Sequence, residues 1–282
     1  MAALIDIYLD LLFWSVLLVL LFALVEHMLA AERAQPPRRW LFNLCFIPAA
    51  AATIVAADIL LGPLYVQARG VAGGGLLPIL DTGESGLASQ LAFILVYVFA
   101  WDVAQYTLHR IQHAVPALWE THRFHHDETA INAAAATRVH PTSYVLSVLA
   151  QLPLVLLFGP QVPHVAAAFL LFSLWGLVNH ANVRIGFGPL TPFVSGPQWH
   201  RIHHSIDARH RDRNFATFFP VIDIIFGTYY RPSRDEYPAT GLEGEQASSL
   251  KAATILPFVN WYRAVRSRFA LGAEPNARPK AR

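Results

Sequence analysis

The stretch from Asp102 to His126 reads DVAQYTLHRIQHAVPALWETHRFHH and holds five histidines in two groups. In the first group, His109 and His113 are four residues apart. On a helix, residues at this spacing share a face, so the two imidazoles can be presented to one point. Asp102 lies about two turns earlier on the same face. The stretch predicts a helix that ends in a pair of metal-binding side chains.

The second group has the spacing His-x-x-His-His, and a third group repeats that spacing far downstream: His122, His125 and His126, then His200, His203 and His204. On a helix the two adjacent histidines point about 100° apart, so one turn can supply ligands to two neighbouring ions. A single histidine is more often a surface or core residue than a ligand. Three clusters with a repeated spacing instead indicate a dinuclear metal site, because imidazole is the commonest metal ligand.

The order of these groups, in a chain rich in segments of membrane length, resembles the fatty acid hydroxylase superfamily, also called the sterol desaturase family. Four further motifs agree with that family: Arg138-Val139-His140-Pro141, Asn179-His180-Ala181-Asn182, Asp212-Arg213-Asn214-Phe215 and Ile225-Phe226-Gly227-Thr228-Tyr229. The resemblance covers about residues 95–231. The family often has Trp-Asp before the Phe-Gly-Thr segment, whereas Ile222 precedes Asp223 here, which is a packing change.

The resemblance implies a non-haem centre of two iron ions that uses O2 and two external electrons to hydroxylate or desaturate a lipid. Eight histidines do not fill two six-coordinate ions, so His140 and His180, both in family-like motifs, are the natural further ligands. The expected metal ligands are His109, His113, His122, His125, His126, His140, His180, His200, His203 and His204. No catalytic residue beyond these is required.

Polar residues near the histidines are candidates for orienting metal-bound imidazoles, a role that carboxylates and amides often play. They are Asp102, Asp127, Asp212 and Asn214, with Glu128 as a further candidate. No motif selects one lipid among the sterols, fatty acyl chains, sphingoid or ornithine lipids, carotenoids and glycerol ethers that the family uses. No segment resembles cytochrome b5, so we expect a separate electron donor: a reductase, a ferredoxin or a cytochrome b5-like protein.

Composition places the chain among membrane proteins with one integrated core. Hydrophobic residues make up 55% of the 282 residues and charged residues only 14%. The net charge of +2 is too small to indicate nucleic-acid binding. Cys45 is the single cysteine, so an intrachain disulfide is impossible. We expect no cleavable signal peptide, because Asp6 and Asp10 lie where a positive n-region would be.

Apolar runs predict an all-α integral membrane protein with about four transmembrane helices or hairpin segments and a cytoplasmic, histidine-rich helical cap. Three runs are long enough to span a bilayer, which takes about 20 residues: 4–31, 40–66 and 87–108. Two shorter runs, 144–158 and 165–178, form either a spanning or a re-entrant hairpin. The segment 67–85 is a glycine-rich loop.

Arginines fix the expected orientation through the positive-inside rule. After an even number of crossings they collect on one side, together with the histidine groups: Arg33, Arg38, Arg39, Arg110, Arg123 and Arg138. That side is expected to be cytoplasmic.

Several residues outside the three histidine groups are not expected to bind metal. His27 is expected at the membrane interface, His164 at the far turn of the hairpin and His210 on the surface. Asp58, an acid in an apolar run, serves packing or substrate contact. The aromatic segment 215–230 is expected to pack against the membrane face.

The chain divides into three predicted parts. Residues 1–86 form an N-terminal transmembrane hairpin, 87–231 a di-metal catalytic domain, and 232–282 a cytoplasmic tail. In the tail, apolar and basic residues alternate over 250–269, which suits either a helix on an anionic membrane surface or an ordinary docking helix. The end after Gly272 is expected to be disordered.

Two other classes of protein remain open from the residues alone, since imidazole suits iron, zinc, copper and nickel. One is a zinc-dependent membrane hydrolase, and the other a non-enzymatic metal-binding or transport protein. Ligands that cluster at one face, instead of lining a path through the bilayer, disfavour transport. Iron is favoured because a site fed from between apolar helices implies a lipid substrate, and attack on its C–H bonds needs a redox metal and oxygen. The oligomeric state is open.

Overall fold

The computed structural model describes residues 2–72, 86–159, 162–243 and 249–271. The described residues form ten α-helices: α1 (Ala2–Leu29), α2 (Pro37–Leu44), α3 (Phe46–Ala72), α4 (Leu87–Ala114), α5 (Pro116–His126), α6 (Pro141–Phe158), α7 (Val162–His180), α8 (Pro197–His203), α9 (Val221–Phe226) and α10 (Leu250–Leu271). Two isolated bridges are the only β-pairing in these ranges. The predicted all-α class is confirmed.

Four of the described helical segments are long and apolar enough to cross a membrane: Leu4–Leu29, Pro37–Ala68, Leu87–Ala114 and Pro141–Phe158. Most residues of these segments are exposed or only partly buried, as expected of surfaces that contact lipid. The apolar part of α7, Val165–His180, is shorter. These helices indicate a multi-pass membrane protein.

Helix α3 runs through Ala72, so the first six residues of the expected loop 67–85 are helical. A single glycine such as Gly70 costs a helix only about 1 kcal/mol, which its neighbours offset. The remainder of that loop lies outside the described residues, as does the predicted disordered end after Gly272. His164 lies in the first turn of α7, and its side chain is not among those described.

A proline sets the turn that brings the first two histidine groups together. Helix α4 continues unbroken to Ala114, and Pro116 occupies the first turn of α5. Between them, Val115 is extended (φ −97°, ψ 112°), because the residue before a proline avoids the helical region. The last turns of α4 and the whole of α5 therefore face each other.

Two buried carboxylates fasten the segment after the third histidine group onto the fold. Asp102, in α4, accepts hydrogen bonds from the backbone N–H groups of Thr217, Phe218 and Phe219 at 2.7–2.9 Å. Asp223, in α9, accepts from Phe215 and Ala216 at 2.8 and 2.9 Å. Backbone donors in this buried segment thus receive the partners that they need.

The expectation that 215–230 packs against the membrane face is correct for only part of that segment. Phe215 is buried in a cluster with Tyr106 and Trp199. Ile225 and Phe226 are 65% and 50% exposed. The hydrogen bonds of Asp223 pull the first residues inward, whereas α9 leaves its apolar side free.

Glu26, near the end of α1, joins three parts of the chain. Its buried carboxylate accepts hydrogen bonds from the N–H of Ala133, in a 3₁₀ turn, and of Asn182, just after α7, at 2.7 and 2.8 Å. These residues are 107 and 156 positions away along the sequence. The division into three parts and the cytoplasmic orientation stay predictions.

We predict that Glu26→Ala destabilises the protein by on the order of 2–4 kcal/mol, because two buried N–H groups lose their acceptor. The thermal unfolding midpoint in detergent measures this loss. Glu26→Gln keeps a carbonyl oxygen and should lose less. Asp6→Ala, at an exposed acid of the same helix, is the control. Equal midpoints for Glu26→Ala and Asp6→Ala would contradict the role of Glu26.

Candidate metal centre

Nine histidines converge into two adjacent groups. Group one contains His109, His113, His122, His126 and His203, and group two contains His125, His180, His200 and His204. Within each group, one ring nitrogen from every histidine lies within 4.8 Å of those from the others. Each group can hold one metal ion.

Adjacent histidines diverge between the groups, as the His-x-x-His-His spacing predicts. The rings of His125 and His126 are inclined at 89°, with centroids 5.6 Å apart, and each enters a different group. The same holds for His203 and His204, at 86° and 5.3 Å. Helices α5 and α8 therefore each supply both groups from a single turn.

Hydrogen bonds to backbone carbonyls fix the tautomers of two histidines in group one. The Nδ1 atoms of His109 and His203 lie 2.9 and 2.8 Å from the carbonyl oxygens of Phe215 and Arg213. A carbonyl only accepts, so Nδ1 carries the hydrogen and Nε2 carries a lone pair. The two Nε2 atoms lie 3.0 Å apart. Two lone pairs at this distance repel each other unless a cation binds both.

Group two shows the same arrangement independently. The Nδ1 atoms of His125 and His180 lie 3.2 and 2.7 Å from the carbonyl oxygens of Arg138 and Gly176. Their Nε2 atoms are 3.1 Å apart. Both groups thus present converging nitrogen lone pairs, which is the donor chemistry that a divalent transition metal requires.

A proton shared between two facing Nε2 atoms would also relieve the repulsion between their lone pairs, but the imidazoles bind protons weakly here. Burial, reinforced by the neighbouring imidazoles, holds the pKa values of His125, His126 and His203 well below the ordinary range. The rings are therefore neutral at physiological pH, and neutral imidazole is the form that binds metal.

Asp212 is the candidate orienting residue that touches a histidine directly. Its Oδ1 lies 3.1 Å from Nδ1 of His113, and this hydrogen bond lowers the pKa of the Asp212 carboxyl. Asp212 and Asn214 both have left-handed backbone, with φ of 57° and 61°. Such strain persists where the surroundings hold it. The Asn214 side chain does so through bonds of 2.7–3.1 Å to the backbone of Trp199 and Tyr230.

Asp127 and Glu128 act indirectly, through Arg138, a residue that the spacing of the histidines did not predict to be important. Both carboxylates pair with the buried guanidinium of Arg138, Glu128 at 3.1 Å. The carbonyl of Arg138 is the acceptor for His125. Breaking a buried ion pair is costly, so this cluster holds the position of that carbonyl. Two acids directly after the second group, and an arginine in the following motif, are the sequence signal.

Asp102 does not contact a histidine ring in the described structure. It holds the backbone at Thr217 and its neighbours, so it positions the chain after the third group, and with it the nearby carbonyl of Phe215. The expected contact to an imidazole is replaced by contacts to these N–H groups.

His140 is not brought into either group. Pro141 begins α6, which makes His140 the residue that caps this helix. Its Nδ1 lies 2.8 Å from the hydroxyl of Thr142, and its Nε2 lies 3.1 Å from the carbonyl of Thr254 in α10. Both ring nitrogens have other partners, so the geometry does not support the expectation that His140 is a ligand.

His210 is buried, contrary to the expectation of a surface position. Only 1% of the residue is exposed, and its ring lies 2.9 Å from the Ser205 hydroxyl and 3.1 Å from a Glu236 carboxylate oxygen. These contacts fasten the loop after α8 to the segment after α9. His27, by contrast, is exposed at the end of α1.

A pocket of about 490 Å³ opens onto group one. His113, His126 and His203 form its inner wall together with Trp119, and its rim includes Arg211. No histidine of group two lines this pocket. Molecules from outside the protein can therefore reach group one directly.

The comparisons with known proteins agree with this geometry. Residues 94–228 match the family model described as fatty acid hydroxylase. This segment therefore resembles a fatty acid hydroxylase domain. The domain contains all nine histidines of the two groups. The resemblance drawn from the spacing of the histidines is confirmed.

Curated relatives of the fatty acid hydroxylase domain act on different lipids according to their names. The chain is 30% identical to an ornithine lipid hydroxylase of Rhizobium tropici over 54% of this chain and 46% of that protein. It is 33% identical to an alkylglycerol monooxygenase of Danio rerio over 52% and 31%. It is 26% identical to a methylsterol monooxygenase of Arabidopsis thaliana over 58% and 54%. The chain thus spans about half of these relatives or less. No solved structure matches it significantly.

We predict that Asp212→Ala weakens the metal affinity of group one by about 10–100-fold, the usual effect of losing a carboxylate that orients a ligand. Metal content after dialysis against a graded series of chelator concentrations measures it, and one ion per chain should be lost before the other. Asp207→Ala is the control, because Asp207 lines the same pocket but binds Arg209. Unchanged metal retention in Asp212→Ala would contradict the role.

We predict that His140→Ala retains the full metal content of the unmodified protein, because both ring nitrogens bind other partners and His140 belongs to neither group. Its cost should be on the order of 1 kcal/mol of stability, as for the loss of a helix cap. Elemental analysis and thermal unfolding of the same sample separate these two effects. Loss of one ion per chain in His140→Ala would contradict this prediction and identify His140 as a metal ligand.

Proposed function

We propose that the chain is a membrane-bound non-haem di-iron oxygenase that hydroxylates, or desaturates, a lipid with O2 and external electrons. The observation that carries the proposal is the pair of buried histidine groups whose Nε2 atoms face each other at 3.0–3.3 Å. The match of residues 94–228 to the fatty acid hydroxylase family model supports it.

Each group would hold one iron ion through neutral imidazoles alone. Together the ions would supply the redox chemistry: O2, two electrons and two protons convert a C–H bond into C–OH and water. The residues of the chain would bind the two ions and orient the imidazoles that hold them. Backbone carbonyls fix the tautomers of His109, His125 and His203, and Asp212 orients His113. Because imidazole does not itself select iron, the choice of metal rests on the chemistry that a C–H bond demands.

A membrane lipid is the proposed substrate. The histidine-bearing ends of α4 and α7 continue directly from apolar helices with exposed surfaces. A lipid can thus stay among these helices while one carbon approaches the metal centre. The names of the relatives refer to ornithine lipids, alkylglycerols and methylsterols. They share an apolar chain or ring system and differ in their polar part, so the proposal stops at the lipid class.

A separate protein is proposed as electron donor, and the histidine groups are proposed to face the cytoplasm. The orientation is supported by the arginines on the histidine side, among them Arg39, which lies 3.7 Å from Glu128. A cytoplasmic reductase, ferredoxin or cytochrome b5-like protein could then approach the same side as the pocket. The division at residues 86 and 231 is part of the same proposal.

We predict that His203→Ala, in group one, and His125→Ala, in group two, each lower the iron content and abolish lipid-stimulated O2 uptake. Elemental analysis of detergent-purified protein and an oxygen electrode, with reductant and lipid extract, measure both. His27→Ala is the control, because His27 is exposed and belongs to neither group.

About two irons per chain, with O2 uptake that needs lipid, is the result expected of the unmodified protein. Normal O2 uptake in either His203→Ala or His125→Ala would contradict the assignment of these histidines as metal ligands. Two redox-inactive ions and no uptake after reconstitution with iron would instead favour a zinc-dependent hydrolase. Zinc in an overexpressed sample alone would not, since it follows the affinity order of the metals.

A further inference from the structure

One face of helix α10 packs against α3 and α5. Ala253 and Pro257 are buried, and Ala253 packs in a cluster with Phe46 and Phe124. One turn later, the indole N–H of Trp261 donates to the carbonyl of Ala117 in α5 at 2.6 Å. The Asn260 amide donates to the Glu120 carboxylate at 2.6 Å. The helix is therefore fixed along the outer side of α5.

Its contacts place α10 beside the first residue of α3 and the cap of α6. Phe46 is the first residue of α3, and His140, the cap of α6, contacts the Thr254 carbonyl and the Phe258 ring. Ala117 lies just after the end of α4. A helix of 22 residues is about 33 Å long. Because α10 packs along α5 and contacts the first residue of α3 and the cap of α6, these contacts favour an axis that runs along the membrane surface and not across the bilayer.

The opposite face of α10 is apolar and basic. Ile255, Phe258 and Tyr262 are 44%, 47% and 65% exposed. Arg263 and Arg266 are exposed as well, and neither forms an ion pair with a described residue. Large apolar side chains beside unpaired arginines suit the boundary between acyl chains and anionic headgroups.

We propose that α10 is an in-plane helix that binds the anionic headgroups of the bilayer on the histidine side and fastens α5 to the membrane surface. Ile255, Phe258 and Tyr262 enter the headgroup region, and Arg263 and Arg266 contact lipid phosphates. The proposal is independent of the metal and of the reaction. It joins lipid binding to the histidine groups, because α5 carries His122, His125 and His126.

A lipid surface fits this face better than a second copy of the chain. Two copies joined through the outward face of α10 would bring the same arginines together, and like charges at close range destabilise an interface. The helix also packs beside Phe42 and Phe46, which belong to the membrane segment Pro37–Ala68. Its outward face thus continues a surface that already meets lipid.

Depth-dependent fluorescence quenching tests the position of α10. In a Cys45→Ser background, Tyr262→Cys carries a bimane probe, and the protein is placed in nanodiscs of phosphatidylcholine, alone or with phosphatidylglycerol. Nitroxide-labelled lipid should quench this probe, whereas aqueous iodide should not. Asp235→Cys, at an exposed site in the segment after α9, is the matched control with the opposite result.

A second pair of variants tests the charges. Phosphatidylglycerol should increase lipid quenching at position 262 by about twofold, since basic residues near the surface attract anionic lipid. Arg263→Gln with Arg266→Gln should remove this increase, and Arg231→Gln with Arg234→Gln should not. Thermal unfolding and gel filtration confirm that each labelled variant is folded.

Three results would overturn the proposal or its assignment of charges. Iodide quenching at position 262 as strong as at position 235 would place the outward face of α10 in water. Protection from both quenchers would show that protein covers it, as a second copy or a partner would. An equal response to phosphatidylglycerol in both arginine pairs would reject the role of Arg263 and Arg266.

Discussion

The opposition of nitrogen lone pairs inside a buried cluster is the constraint on which this structure depends. His109 and His203 in group one, and His125 and His180 in group two, bring Nε2 atoms to about 3 Å while their Nδ1 hydrogens are committed elsewhere. Without a cation, each contact is repulsive and each ring is desolvated. The surrounding fold must therefore be stiff enough to hold the groups. Metal binding would remove the repulsion between the lone pairs and so stabilise the folded protein.

That stiffness comes from helices shared between the groups. Helices α5 and α8 each contribute to both groups, so any displacement of either helix alters the two ion positions together. Around them, buried charges bind backbone and not histidine: Asp102 and Asp223 hold the loop after α8, and Arg138 holds the chain after α5. Three of the four carbonyls that set the tautomers, those of Phe215, Arg213 and Arg138, lie in these same segments. The polar groups next to the centre thus act mainly by fixing the backbone.

Local spacing explains what could be predicted from the sequence. The face shared by His109 and His113, and the divergence of His125 from His126, follow from helix geometry within a few residues. The contacts of Glu26 could not be predicted in this way, since its partners are backbone N–H groups of no particular residue type more than a hundred positions away. His140 shows the converse, because a histidine in a family-like motif serves there as a helix cap.

The two groups differ in their surroundings more than in their ligands. Group one borders the open pocket and has a carboxylate, Asp212, behind one ligand. No histidine of group two lines this pocket, and the Nδ1 atoms of His125 and His180 lie next to the carbonyls of Arg138 and Gly176. A negative charge behind an imidazole makes it a stronger donor, and solvent nearby raises the local dielectric. Two ions with the same kind of ligand would therefore differ in electrostatic environment, and only the ion of group one would be accessible from the pocket.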